Sequence, residues 1–554
     1  MMRRKIKNYH IDPDEIFIDD GNLASLNNHQ FEGRIEKPIS KISLFVASLV
    51  FLLVAVIFGG RVIYLQVIEG RDYAERSKNN SLRHTAIMPS RGIIYDRNLV
   101  ELAWNKPERT YLNEPGFSHL IGYLGYPNSK EATSSSSFTE KEQIGRAGSE
   151  KIFNTELSGE KGVRIEEVNV RGDVVSDYSL KQPVNGKSVV LSIDSKLQTK
   201  FFQLIRQVAI DRDFFGGSGV ILDVKTGEVL AIVSYPEYDS NIMTNRTDKK
   251  EIQAFLSSTS NPFLNRAVSG LYTPGSIFKP IMALAALNEK VIDPYKKILS
   301  TGALVIPNPY NPKEKTIFRD WKAHGWVDMR WALAVSSDEY FYQIGGGYKD
   351  QKGIGIANIE KYSKLFGLSQ LTGIELENEA EGSIPSPEWK AKNFDGEPWR
   401  LGNTYHTSIG QYGVLVTPLQ MARLAAVIAN EGYLVRPTIL KQATTTNISV
   451  PKLPIDKNYF DVVHDGMRLA VTEGTAKGLD VSAIQIAAKT GTAELGLSKE
   501  RVNSWVIGFW PFIEPKYAFA VVMEKGSRHN TIGGVFVIRS LFDWLPANLP
   551  AYLP

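Results

Sequence analysis

Residues 270–280 read Gly-Leu-Tyr-Thr-Pro-Gly-Ser-Ile-Phe-Lys-Pro, a Pro-Gly break followed by a serine and, three positions on, a lysine. Ile277, Ile281, Leu284 and Leu287 recur at helical spacing, so Ser276 is expected in the first turn of a helix with Lys279 beside it. Pro280 lies near enough to the start to be tolerated. A serine hydroxyl is a weak nucleophile until a base takes its proton. Lysine serves as that base only when burial or a second cation pulls its pKa far below ~10.4. The start of a helix also presents free backbone N–H groups to a developing oxyanion. These parts suit acyl transfer through serine.

The same spacing occurs at Ser158–Lys161 and Ser449–Lys452, so spacing alone does not select a site. Ser158 is followed by Gly159 in a turn-like stretch, and Ser449 precedes Val450-Pro451, so neither is expected to hold its lysine on a helix. Two other stretches supply what Ser276 lacks. Ser336-Ser337-Asp338 precedes an aromatic run, and Lys489-Thr490-Gly491-Thr492 closes an apolar, strand-like run. Gly491 is expected to let a substrate backbone lie against that strand, and Lys489 to be the second cation that depresses Lys279. Lys225-Thr226-Gly227 carries the same three letters at what reads as a hairpin tip, ahead of the serine in chain order.

Those residues must be held by a chain of 554 residues, 43% hydrophobic, long enough for more than one domain. A net charge of +4 gives no nucleic-acid footprint. The absence of cysteine excludes disulfides and thiolate metal sites. Residues 42–60 are uncharged and would reach about 28 Å as a helix, enough to span a bilayer. Basic residues flank this run on both sides, so charge does not orient it; the large C-terminal part is expected outside because the preceding tail is short. The organisation expected is a cytoplasmic tail (1–41), a transmembrane anchor (42–64), a spacer or dimerisation-type domain (65–189) with a Ser-rich surface loop at 129–143, and a catalytic domain (190–548). In the last, 218–236 reads as a hairpin, 418–432 as an amphipathic helix, and 504–512 and 517–526 as neighbouring antiparallel strands. Strands and helices mix without a repeating rhythm, which gives an α+β class.

The order Ser-x-x-Lys, Ser-x-Asp, Lys-Thr-Gly resembles the penicilloyl-serine transferases. Residues 64–80, 88–105, 220–241, 265–280, 409–430 and 504–511 are similar to the corresponding stretches of class B penicillin-binding proteins, so the resemblance runs from Tyr64 to Trp544. Residues 318–328, with Asp338 rather than asparagine closing the second motif, resemble the elongation-type, penicillin-binding protein 2 branch.

The resemblance implies an antiparallel sheet flanked by helices, and a D,D-transpeptidase that crosslinks peptidoglycan stem peptides through a serine acyl-enzyme. Ser276 would attack the penultimate D-alanine carbonyl, neutral Lys279 would accept its proton, and Ser336 with Lys489 would return a proton to the leaving amine. Asp338 would hold Lys279 and the substrate backbone, Thr490 and Thr492 would bind the terminal carboxylate on the strand that carries Gly491, and the N–H groups of Ser276 and Thr492 would form the oxyanion hole. Implied partners are stem peptides and their glycan, β-lactams, the membrane, a SEDS-type glycosyltransferase and other elongation-machinery proteins. The implied location is the plasma (inner) membrane, single-pass, with an extracytoplasmic catalytic domain. No cofactor is expected. Asp320 and His324 match a zinc site of some relatives, but Ser337 replaces its cysteine, so no metal is expected and His324 reads as a structural hydrogen-bonder. Leu99 and Tyr412 stand where the family usually has glycine; the turn at Leu99 is expected to differ, and Tyr412 to bring a bulky ring near the active-site strand. A septal transpeptidase and a non-catalytic penicillin-binding scaffold or sensor are the alternatives. A β-lactamase would need a Glu-x-x-Leu-Asn loop that is missing between the second and third motifs, and a bifunctional enzyme would need a further catalytic domain in roughly 120 residues.

Overall fold

A computed structural model of the chain describes residues 40–128, 142–169, 171, 173–307, 311, 313–442, 450–496 and 499–553. The tail up to residue 39, most of the Ser-rich stretch 129–143, and Ser449 lie outside the described residues. By its internal contacts the chain forms two units, Met1–Thr85 with Arg164–Leu180, and Ala86–Val163 with Lys181–Pro554.

The first unit carries helix α1 (Lys41–Ile63), which runs on through a wider turn at Tyr64–Ile68. Ser40 caps its start by accepting a hydrogen bond from the Ser43 N–H at 3.1 Å. Within Lys41–Ile68 an 18-residue window has a mean hydropathy of 2.8 and none of it is buried, so the helix is long and apolar enough to cross a membrane.

The second unit is built on one sheet. Helix α2 (Ser195–Asp211) precedes the hairpin β1 (Gly216–Asp223) and β2 (Val229–Tyr235). A helical region follows, with α3 (Lys279–Asn288), α4 (Met329–Val335), α5 (Asp338–Gly346), α6 (Pro418–Ala429) and α7 (Lys457–Thr472). The chain then returns as β3 (Ala487–Leu495), β4 (Arg501–Trp510) and β5 (Tyr517–Ser527), and closes with α8 (Gly534–Asn548). The strand order is β2-β1-β5-β4-β3, antiparallel throughout. Alternation along each strand feeds two cores: Val220, Trp505, Ile507 and Val522 share one with α6, while Ile221, Val506 and Val521 share the other with α2 and α8. Both faces are therefore covered. β3 is left at the edge, with one side of its backbone unpaired to any strand.

The hairpin and the β4–β5 pair match the sequence reading. Helix α6 does not match it fully. Thr417 and Gln420 form a reciprocal cap and Pro418 starts the helix, as its end signals require, but all twelve of its residues are buried. Its two polar side chains, Gln420 and Arg423, bond to buried carbonyls, including those of Glu381 and Val435, instead of facing water. The helix is enclosed between the sheet and the helical region, so it is not amphipathic in the sense of having a solvent face.

The turn after Asp96-Arg97-Asn98, where the resemblance implied glycine, is built around Leu99. Leu99 adopts φ +64°, the left-handed conformation that glycine takes readily, while Asp96 Oδ1 accepts the N–H groups of Asn98 and Val100 at 2.7 and 2.8 Å. The leucine side chain points to solvent. Asp96 Oδ2 meanwhile accepts from the backbone N–H and hydroxyl of Ser195 at the start of α2, which ties the spacer segment to the sheet's flanking helix.

Candidate active site

Ser276 sits in a tight 3₁₀ turn, Gly275–Phe278, that runs directly into α3. The Lys279 N–H donates to the Ser276 carbonyl, so the two residues are locked one turn apart. From Lys279 to Leu287 every residue of α3 is buried, and this rigid Ala- and Leu-rich rod fixes the lysine's starting point.

The Lys279 ammonium is fully enclosed and donates to Asp338 Oδ1 at 2.6 Å, the Ser336 carbonyl at 2.7 Å and Ser336 Oγ at 3.3 Å. Three partners use all the donors an ammonium has. Among the described residues the Ser276 hydroxyl has no hydrogen bond, so the direct Ser276–Lys279 bond that the spacing suggested is not formed here. The reason is the carboxylate: the long side chain reaches past its neighbour to the ion pair with Asp338.

Ser336 stands at the corner between α4 and α5 with φ +58°, a conformation costly for a residue with a Cβ. Asp320 holds that corner. Its Oδ2 accepts from Ser337 Oγ at 2.8 Å and from the Glu339 N–H at 3.0 Å, and its Oδ1 from the Trp321 N–H at 2.8 Å. Ser337 in turn caps α5 by accepting from the Tyr340 N–H. Asp320, which matches a zinc ligand of some relatives, is thus taken up by hydrogen bonds, and among the described residues no group of three His, Cys, Asp or Glu is arranged to hold a metal ion. His324 is not the hydrogen-bonder expected. Its Nε2 lies 3.5 Å from Asp320 Oδ1 and has no hydrogen-bond partner, the ring packs edge-on against Trp321, and burial lowers its pKa.

Lys489 enters from β3, also fully buried, with its amine 2.8 Å from Ser336 Oγ and 3.0 Å from the Thr490 carbonyl. Burial drives its pKa well below that of a free lysine, the nearby Lys279 charge adds to this, and Asp338 opposes it. The second cation foreseen from sequence is present, and burial with the Lys279 charge lowers the Lys489 pKa, while Asp338 lies against Lys279.

Gly491 also has a role other than the one expected. A Cβ there would come within 2.8 Å of the Pro274 carbonyl and 3.2 Å of the Ile277 N–H nitrogen. The missing side chain lets β3 press flat on the nucleophile turn; substrate does not fill that space. Gly275, at φ +59°, faces the Thr492 carbonyl equally closely from the other side. Trp505 on β4 adds a bond from Nε1 to the Thr273 carbonyl at 3.0 Å. Thr490, Thr492 and Glu494 alternate outward along the edge strand. The Thr490 hydroxyl donates to Thr475 Oγ1 at 2.7 Å, and Thr475 is a site residue that sequence reasoning missed. It lies in a loop with no motif of its own, and the preceding Gly474 packs so close to the chain ahead of Ser336 that a Cβ there would collide with the Ala334 carbonyl.

The structure therefore brings Ser276, Lys279, Ser336, Asp338, Lys489, Thr490, Gly491 and Thr492 to one place, where α3, the α4–α5 corner and the edge of β3 meet. The Ser158 pair is elsewhere: its hydroxyl bonds to the Thr155 carbonyl and Lys161 pairs with Glu142.

Comparison with known proteins agrees with this geometry. Residues 217–535 match the family described as penicillin binding protein transpeptidase domain, and residues 105–191 that described as penicillin-binding protein dimerisation domain. The peptidoglycan D,D-transpeptidase MrdA of Haemophilus influenzae is 31% identical over 475 residues, covering 80% of this chain and 70% of the relative. Among solved structures, PBP2 of Pseudomonas aeruginosa in complex with WCK 5153 superposes with a TM-score of 0.70 at 31% identity, covering 84% of this chain and 97% of that one. A chain from a peptidoglycan synthase complex that coordinates polymerization and crosslinking gives a TM-score of 0.72 at 27% identity, covering 91% and 97%.

Proposed function

Because the chain belongs to the penicillin-binding transpeptidase family, we propose that it is an elongation-type peptidoglycan D,D-transpeptidase with Ser276 as its nucleophile. The observation that carries the site assignment is the convergence of Lys279 and Lys489 on Ser336 Oγ, at 3.3 and 2.8 Å, beside the serine turn, with burial pulling the Lys489 pKa well below that of a free lysine.

Two lysines that share one hydroxyl titrate as a pair. Burial and the Lys279 charge favour the neutral form of Lys489. If Lys489 takes the Ser336 proton while Ser336 takes one from Lys279, the deficit moves to Lys279 without any change in total charge. The neutral Lys279 then releases Asp338 and turns toward Ser276, the one partner it lacks. Ser276 Oγ attacks the carbonyl of the penultimate D-alanine as its proton passes to Lys279. The carbon–nitrogen bond to the terminal D-alanine breaks, and that nitrogen leaves as an amine after receiving a proton through Ser336. An amine from a second stem peptide attacks the ester, gives up its proton along the same route, and restores the serine. The product is one new amide bond, with one D-alanine released.

The Ser276 N–H is free of backbone hydrogen bonds among the described residues and the edge strand adds the Thr492 N–H, a pair suited to the oxyanion; one such donor contributes typically ~10²–10³ in rate. The unpaired edge of β3 suits an extended stem peptide, with Thr490 and Thr492 facing its terminal carboxylate. A β-lactam would acylate the same serine. We expect Lys41–Ile68 to anchor the chain in the plasma membrane, with the tail (1–41) on the cytoplasmic side and the spacer (65–189) and catalytic domain (190–548) following it outside. The synthase complex that couples polymerization to crosslinking supports a glycan polymerase as a partner, which we expect to be of the SEDS class, alongside other elongation-machinery proteins.

The test uses the full-length protein with glycan strands bearing stem pentapeptides. Wild type is expected to release D-alanine and form crosslinked dimers, and Ser276→Ala neither. Wild type that forms no crosslink and takes no penicillin label would leave a non-catalytic scaffold as the reading.

A further inference from the structure

Tyr412 adopts φ +54°, a backbone conformation that a bulky aromatic residue rarely takes. It is kept there by its ring. Trp389 and Trp399 meet it edge-on with centroids 6.0 and 5.8 Å away, and Phe394 lies nearly parallel at 6.2 Å with planes 14° apart. The cage is itself fixed, since Trp399 Nε1 donates to Thr404 Oγ1 at 2.8 Å and the N–H of Trp389 to Ser386 Oγ at 3.1 Å. Trp389 also lies against the next residue, Gly413, where a Cβ would come within 2.5 Å of Cη2.

The segment so clamped is the one against which the nucleophile turn is laid. The Gly275 N–H donates to the Gly410 carbonyl at 3.0 Å, and a Cβ on Gly410 would collide with the Gly275 carbonyl. Four residues before Ser276, Tyr272 pairs with Val416 by two backbone hydrogen bonds, of 2.9 and 3.0 Å. The turn is thus fastened to residues 410 and 416, and the strained Tyr412 lies between the two attachment points. Gly275 sets the peptide plane that carries the Ser276 N–H, so a shift of residues 410–416 would move both the nucleophile and the donor beside it.

We propose that Tyr412 is a positioning residue for Ser276: its aromatic clamp holds segment 410–416 in the one register that presents the serine to its acyl donor. The inference rests on Ser276 being the nucleophile. It assigns the cage to the rate of acylation, with no part in the binding of the acyl donor.

The experiment is stopped-flow acylation of the full-length protein by a fluorescent penicillin, separating the noncovalent dissociation constant from the first-order acylation step, for wild type, Tyr412→Phe, Tyr412→Gly and Trp399→Leu, with Ser276→Ala as reference. Tyr412→Phe keeps the ring and is expected within two-fold of wild type in both constants. Tyr412→Gly removes the clamp together with the strain, so it is expected to stay folded, keep the dissociation constant within two-fold, and lose at least ten-fold in the acylation step. Trp399→Leu weakens the clamp without touching the 410–416 backbone and is expected to lose about three- to ten-fold in that same step, which covers the case in which the glycine variant fails to fold. Acylation of Tyr412→Gly or Trp399→Leu at the wild-type rate would overturn the proposal, as would a Tyr412→Phe defect as large as that of the glycine variant. Wild type that is not labelled at Ser276 would instead overturn the nucleophile assignment, so the two failures are distinct.

Discussion

Two stretches of the chain spell Lys-Thr-Gly, and the fold treats them oppositely. At 225–227 the letters make a turn. Asp223 Oδ1 accepts the N–H groups of Lys225 and Thr226, Gly227 supplies φ +76°, and both side chains stand in water at the tip of the β1–β2 hairpin. At 489–491 the same letters lie on the edge strand of the same sheet. There the lysine is completely buried, the threonine bonds to Thr475, and the glycine is extended and pressed on the serine turn. Identical residues become a turn where a polar residue precedes them and the chain must reverse, and a reactive site where an apolar strand carries them under a helix. What matters for chemistry is the desolvation, because burial pulls the Lys489 pKa well below that of a free lysine.

That contrast can be broken or sharpened by paired substitutions. The largest effect is expected at the lysines. Lys489→Met should lower the rate of Ser276 acylation by about 10²–10⁴, the usual range for a proton-transfer group, whereas Lys225→Met should change it less than two-fold. Stability should move the other way. A lysine with a depressed folded pKa binds fewer protons than it does in the unfolded chain, so it costs stability below its ordinary range near ~10.4 and that cost fades as pH rises. Lys489→Met should therefore melt no lower than wild type at neutral pH, and a melting temperature that collapses would show the amine to be structural.

The glycines come next and should separate function from stability. Gly491→Ala pushes β3 off the Pro274 carbonyl and Ile277. About an ångström of displacement at the nucleophile should cost on the order of 10² in acylation, with little change in melting. Gly227→Ala adopts an unfavourable φ and meets the Arg436 carbonyl. It should lose about 1–3 kcal/mol of stability, read by denaturant titration, yet acylate at the wild-type rate per folded molecule. The smallest effect is expected at Thr475→Val, where one hydroxyl contact to Thr490 is lost and the acylation rate should fall about five-fold. An unchanged rate would remove Thr475 from the site.

Much of this was legible before the fold was known. Chain order and composition were enough to separate Ser276 from Ser158, because a glycine after Ser158 signals a turn and Ala/Leu-rich sequence after Ser276 signals a helix. The strands over 504–512 and 517–526 carry alternation strong enough to place them side by side, and the membership in the transpeptidase family bears out the resemblance drawn from the three motifs. What sequence did not carry was contact across distance. Nothing local to either lysine says which of them Asp338 meets; only the resemblance implied Lys279. Gly491 announces only that a side chain would be in the way, not whether substrate or the Pro274 turn takes the space. The full burial of α6 was hidden for a similar reason, since Gln420 and Arg423 look like a solvent face until their buried carbonyl partners are seen. Thr475 had no signature at all.

The central claim is that Ser276 forms an ester because the Lys279–Lys489 pair holds one proton fewer than two ammoniums. Its most direct test is the rate of penicillin acylation at Ser276, located by peptide mass mapping and followed from acid to alkaline pH, in wild type and Lys489→Met. Wild type should accelerate as pH rises through the depressed pKa of Lys489 and then level off, and Lys489→Met should remain slow and lose that step. A wild-type rate independent of pH, or a methionine variant that keeps the wild-type profile, would contradict the account.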